Sequence, residues 1–342
     1  MPTTVIKSIG PGKDYATIQA WMDGANTTYP SGLVAADVIW KGELYPGTGG
    51  NEWVFTSSNT FPSITTDATR YFWLAAALGN SFIDNAGKLT NALTYNTANG
   101  VGISFSGNYV TVLASAAVFM RVSGIQFKRT AGGGSVANPF SAPGATFENC
   151  IFYNAPIVSK VSAVNCLFIS TGGTLAVNLA NAPQYFRNCT FVAVNATSYA
   201  FTSGNYGAYI IKNCALFGFA NIASIPSKVV AASSTNNVTD LAGLGWTSTG
   251  NLLSRTFSSQ FENILIGTED FRVKAGADLI NAGIEDAVYT GNLDIVGSAR
   301  SLTTPTVGAW EYAGSTPPPV TTTNYTSAIS RGMFTGIERG IV

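Results

Sequence analysis

Short runs of apolar, β-branched and aromatic residues alternate along this chain with clusters of Gly, Asn, Ser and Thr. Runs bounded in this way read as strands meeting sharp turns. One stretch departs from the pattern: Tyr15, Ile18, Trp21 and Met22 recur at helical spacing, with Asp14 placed to cap the first turn and Gly24 to end the last. A strand from Val5 to Ile9 precedes it. Between the two, Gly10-Pro11-Gly12-Lys13 reads as a turn, because it lacks the spacing of a phosphate-binding loop. Residues 1–33 are thus expected to form a strand and a helix that plugs one end of a larger body.

Residues 34–260 show no sustained helical period. Val38–Trp40, Tyr71–Ala77 and Val110–Ala114 read as strands of less regular coils. A motif then repeats: Phe147-Glu148-Asn149-Cys150-Ile151-Phe152, Ala163-Val164-Asn165-Cys166-Leu167-Phe168, Phe186-Arg187-Asn188-Cys189-Thr190-Phe191 and Ile211-Lys212-Asn213-Cys214-Ala215-Leu216. A degenerate copy, Val122-Ser123-Gly124-Ile125-Gln126-Phe127, comes before them. The Asn or Gly positions stand 25, 16, 23 and 25 residues apart, which suits one turn of a β-coil. Alternation puts the first, Cys and last positions inside, with Glu148, Arg187 and Lys212 outside in water. Asn149, Asn165, Asn188 and Asn213 fall at the bend. There they are expected to take a left-handed backbone and to exchange amide hydrogen bonds as a ladder, coil on coil at about 4.8 Å. Cys150, Cys166, Cys189 and Cys214 are expected as buried free thiols, since one Cys per coil is not the paired spacing of a zinc knuckle. The fold class predicted is all-β: one single-stranded right-handed parallel β-helix, a solenoid with a short N-terminal capping helix and an extended C-terminal tail.

The 342-residue composition supports a solenoid: 46% hydrophobic but only 11% charged, with 36 Gly. Net charge is zero, yet residues 85–261 hold nine Lys/Arg against two Asp/Glu, while both ends are acidic. There is no histidine, which removes imidazole bases, His metal sites and Ser/His/Asp triads. The start lacks the basic and apolar segments of a signal peptide, so synthesis in a cytoplasm is expected, with no membrane and no nucleic-acid partner.

Further on come Asp270-Phe271-Arg272-Val273-Lys274-Ala275-Gly276-Ala277-Asp278-Leu279-Ile280-Asn281-Ala282-Gly283, then Leu293-Asp294-Ile295-Val296-Gly297-Ser298-Ala299-Arg300, then Gly308-Ala309-Trp310-Glu311. This run, residues 261–313, resembles the C-terminal closing segment of pectate-lyase-like right-handed β-helix proteins. Ala277-Asp278 stands where that family has Ser-Pro, Asn281 where it has Asp, and Val296 where it has Asp. The opening Ile9–Trp21 also resembles the start of bacteriophage-encoded β-helix proteins. What the resemblance implies is a phage origin.

Beyond Tyr312, residues 314–323 form a Pro/Thr linker and 324–342 a tail with an apolar-x-x-Gly unit repeated three times. Tyr325, Ile329, Met333, Phe334, Ile337 and Ile341 are the expected partner-docking residues. Polysaccharide cleavage is not expected, because Glu148 and Asp240 are the only acids in residues 85–261 and lie coils apart, whereas glycoside hydrolysis needs a close carboxylate pair. No catalytic residue, metal or cofactor is assigned. The function expected is that of a structural phage virion protein, foremost a capsid decoration or cement protein held by its tail to the major capsid protein or to neighbouring copies. A homotrimer and a tail spike or fibre binding a host glycan stay open as alternatives, with a lyase or hydrolase behind them.

Overall fold

The computed structural model describes residues 1–60, 62–106, 113–114, 119–131, 140–141, 144–155, 161–172, 177–179, 184–203, 208–286 and 291–312. Two long parallel sheets make up its body. The first contains Thr3–Ile9, Val38–Leu44, Phe72–Ala76, Met120–Ser123, Ala145–Glu148, Val161–Val164, Gln184–Arg187 and Tyr209–Lys212, side by side in chain order. The second contains Glu52–Phe55, Gly102–Ser106, Gln126–Ala131, Ile151–Tyr153, Leu167–Ser170, Thr190–Ser203, Ala215–Ala223 and Val238–Thr239, likewise in order. From Val38 on, the chain alternates between the sheets, so each coil lies on the one before: a parallel β-helix.

Register follows the repeat. Phe127, Phe152, Phe168 and Phe191 are successive partners in the second sheet. Their rings stack inside the coils, with centroids 5.2, 4.7 and 4.4 Å apart and planes within 16° of parallel. Spacing between parallel strands and ring thickness are close enough for one ring per coil to fill the lumen without a void.

Helix α1 (Ile18–Thr28) buries Ile18, Trp21, Met22 and Ala25 against Trp40 and Leu44. Its limits differ from those expected. Thr17 is the cap, its hydroxyl accepting from Ala20 N at 3.1 Å, while Asp14 instead accepts from Ser8 N and Oγ at 2.8 and 2.9 Å. Gly24 lies inside the helix because Tyr15 packs on it: a Cβ there would come within 2.3 Å of the Tyr15 hydroxyl. Trp21 also packs edge-on against Phe72, at 5.5 Å and 84°.

The described residues of the closing segment, with the turn at Phe257–Ser259 before it, run along a flank of the stack. Phe261, Phe271, Val273, Leu279, Ile295, Val296, Val307 and Ala309 form a second core with Ile151, Leu167, Ile169, Val192, Ala215, Phe217 and Val238. The latter row lies on the outward face of the second sheet. That face is apolar, and covering it is the physical reason for the segment's placement. Phe82 and Leu93 from the loop before Gly102 join the same core. Among the described residues no helix is long and apolar enough to cross a membrane.

Candidate functional site

At every bend of the regular coils the backbone turns left-handed: φ is 51° at Asn149, 52° at Asn165, 50° at Asn188 and 54° at Asn213, with Gly124 at 69°. Asparagine tolerates this region better than other residues with a Cβ. Asn236, at 55°, continues the row and makes Ser234–Thr239 a further copy of the motif. The expected amide ladder is corrected here. No side-chain hydrogen bond among the described residues links one of these asparagines to the next; the amides of Asn165, Asn213 and Asn236 hold the flanking segment instead. Asn165 Nδ2 donates to Leu293 O at 2.8 Å, Asn213 Nδ2 to Ile284 O at 2.7 Å, and Asn236 Nδ2 to Ala282 O at 3.4 Å. Ile284 N returns a bond to Asn213 Oδ1 at 3.2 Å. The closing segment brings unpaired backbone groups to the bends, and buried backbone groups demand partners.

Cys150, Cys166, Cys189 and Cys214 are all buried and free. Each thiol donates to a carbonyl one coil back, those of Val122, Phe147, Ala163 and Phe186, at 3.4 to 3.7 Å. Burial pushes the Cys166 and Cys214 thiols well above their usual range. Asn237 occupies the next position of this column and copies the thiol's role, its Nδ2 donating to Ile211 O at 2.9 Å.

The polar centre of the flank is a clasp. Arg300, 2% exposed, donates from Nη2 to Asn165 Oδ1, Gly308 O and Ala309 O, from Nη1 to Thr306 O and Glu311 Oε2, and from Nε to Leu293 O. Asp294, fully buried, accepts from Val296 N, Ser298 N and Glu311 N. These are the Asp, Arg and Glu of the sequence run noted above. Burial pushes the Asp294 carboxyl up to about 6, against the opposing pull of Arg300 and three backbone N–H groups. An acid whose pKa is raised by folding binds its proton more tightly when folded, so its contribution favours the folded state at low pH and weakens as pH rises from about 4 to about 6. Chemical denaturation across that window should show wild-type stability falling relative to Asp294→Asn by on the order of 3 kcal/mol. A difference that does not change with pH would contradict this reading of the clasp.

The motif's outer positions are not in water as expected. Glu148 and Arg187 are buried, and Lys212 is half-buried. Glu148 pairs with Arg121, and Asp286 of the flanking segment takes Arg187 at 2.9 Å and Lys212 at 3.7 Å. Opposite charges one coil apart, or across to the segment, compensate the burial. Asp240, the other acid of the shaft, accepts from Gly218 N at 3.0 Å, and burial raises its pKa.

A cleft of about 340 Å³ opens on the outward side of the second sheet, where the chain from Ala92 to Asn96 meets the hairpin turn Gly267–Glu269. Tyr95 and Tyr153 face each other at 6.3 Å, tilted by 49°. The Lys128 ammonium lies 5.2 Å from the Tyr95 ring centroid and 5.8 Å from that of Tyr153. The tyrosine hydroxyls donate to Glu52 and Glu269 at 2.7 and 3.1 Å. Burial, then the neighbouring carboxylate, raises both phenol pKa values. No local motif announces this cleft, because it is assembled from four separate stretches. The signal that could have found it is the register of the repeat, which pairs Tyr153 with Lys128.

The docking residues Tyr325, Ile329, Met333, Phe334, Ile337 and Ile341, and the linker 314–323, lie outside the described residues. No protein-family model, curated protein or solved structure matches this chain.

Proposed function

We propose that this chain is a structural component of a bacteriophage particle, in the first place a capsid decoration or cement protein attached through residues 324–342 to the major capsid protein or to neighbouring copies. The observation that supports this reading best is the brace along the flank. Amides at the bends, Asp286 and the Arg300 clasp tie the flanking segment to successive coils, so the conspicuous polar groups of the repeat serve rigidity. A rod stiffened in this way suits a fixed part of an assembly. The resemblance to phage-encoded β-helix proteins adds to it.

Deleting residues 324–342 should leave thermal unfolding of the β-helix nearly unchanged while removing the protein from purified particles. Burying four of the tail's large apolar side chains would contribute on the order of 6 to 12 kcal/mol before ordering costs, enough for attachment. Normal incorporation of the truncated chain would overturn the tail's role, and a collapse of stability would assign the tail to the fold. The second reading, a tail spike or fibre that binds a host-surface glycan, is favoured by the cleft between Tyr95 and Tyr153.

A further inference from the structure

We infer that the Tyr95–Tyr153 cleft is a binding subsite for one uncharged, hydroxyl-rich sugar residue. This deepens the second reading above and is independent of where the tail attaches.

The volume, about 340 Å³, is at the lower end of small-ligand sites and accommodates one ring rather than a folded peptide. Two tyrosine rings, 6.3 Å apart in the cleft wall, provide apolar surface of the kind that covers the C–H face of a sugar. Their positions are fixed. Each hydroxyl is anchored on a carboxylate, and the Lys128 ammonium holds both rings from one side, so the shelf is formed before any ligand arrives.

The polar lining decides the class of ligand. Among the described residues no carboxylate lies within 4 Å of the Lys128 ammonium, which sits beside both rings and keeps N–H groups to donate to a ligand. Asn96 uses its Oδ1 on Ala98 N, which leaves its Nδ2 to donate. Glu269 provides acceptor capacity beyond the one bond from Tyr153. The hydroxyl of Thr94, one of the lining residues, is buried without a hydrogen-bond partner, and buried polar atoms in this state mark a missing water or ligand. Donors and acceptors therefore stand side by side, and the one lysine and one glutamate of the lining cancel in charge. Sugar hydroxyls both donate and accept, so they satisfy such a mixed set. A singly charged ligand would gain from one of these two groups but meet the like charge of the other, so a neutral ring suits the pair best.

The test is an NMR titration of the full chain carrying ¹³C-labelled tyrosine rings. The probes are the methyl glycosides of glucose, galactose, mannose and rhamnose, with methyl glucuronoside and a capped Leu-Asp-Leu peptide as charged controls. At least one neutral glycoside should shift the Tyr95 and Tyr153 ring signals saturably at millimolar concentration. Lys128→Met, which keeps the apolar stem, should weaken that binding about tenfold or more, as loss of a charged donor does, while the protein still unfolds in one cooperative transition. Asn96→Ala, in an exposed loop, gives a second variant expected to weaken it. No saturable shift with any neutral glycoside, tighter binding of the glucuronoside or the peptide, or full affinity in Lys128→Met would each overturn the assignment. Particle incorporation of the same variants should stay normal, which separates failure of this site from failure of the structural role.

Discussion

Arg300→Leu should destabilise the protein by about 3 to 5 kcal/mol, the range in which removal of one partner from a buried charge cluster falls. The change leaves Glu311, 4% exposed, without its cation, and Asp294, fully buried, without the nearby positive charge that opposes its desolvation. It also strips donors from the carbonyls of Leu293, Thr306, Gly308 and Ala309 and from Asn165 Oδ1. Lysine should not restore the lost stability. A point charge cannot reproduce a planar fork that reaches six acceptors at once. Urea denaturation of Arg300→Leu and Arg300→Lys measures both. A loss below about 1 kcal/mol would mean that the clasp adds little to the packing of the flank.

Phe168→Ala should cost about 3 to 5 kcal/mol by a different mechanism, the opening of a cavity in a lumen that cannot collapse. Phe168 is sandwiched by Phe152 at 4.7 Å and 6° and by Phe191 at 4.4 Å and 3°. The strands above and below are locked in register by backbone bonds, so the neighbouring rings cannot slide together to fill the gap. Phe168→Leu retains most of the volume and should cost about 1.5 kcal/mol. Denaturation midpoints of the two variants check this, and equal midpoints would show that the stack is not tightly packed.

Much of this fold is legible in the residues themselves. The Asn-Cys spacing announces the coil, because a left-handed bend and a small buried filler are both demanded once per turn. The flank was legible too, though less directly. Leu167-Phe168-Ile169 and Ala215-Leu216-Phe217 are apolar on every residue, the mark of a strand buried on both faces. Alternation alone puts half of such a run in water. The same limit of alternation explains the outer charges: Arg187 and Lys212 look like solvated positions until Asp286, far along the chain, arrives beside them. The amides of Asn165 and Asn213 could equally have bonded along the stack, and only the position of Leu293 and Ile284 decides otherwise. Of the cleft only the Lys128–Tyr153 pair is legible, through the register of the repeat; Tyr95 and Glu269 join it only in three dimensions.

The central structural claim is that the flanking segment and the coils form one cooperative unit, and native-state hydrogen exchange tests it most directly. The informative amides are those of Leu167 and Thr190 in the second sheet and of Ile295, Val307 and Gly308 in the segment, whose acceptors include Ala309 O, Leu279 O and Asn213 O. If the account holds, both groups exchange only through global opening, with equal protection free energies that fall together in Arg300→Leu. Segment amides that exchange through a lower-energy local opening, while the sheet amides stay protected and the variant leaves them unchanged, would contradict it.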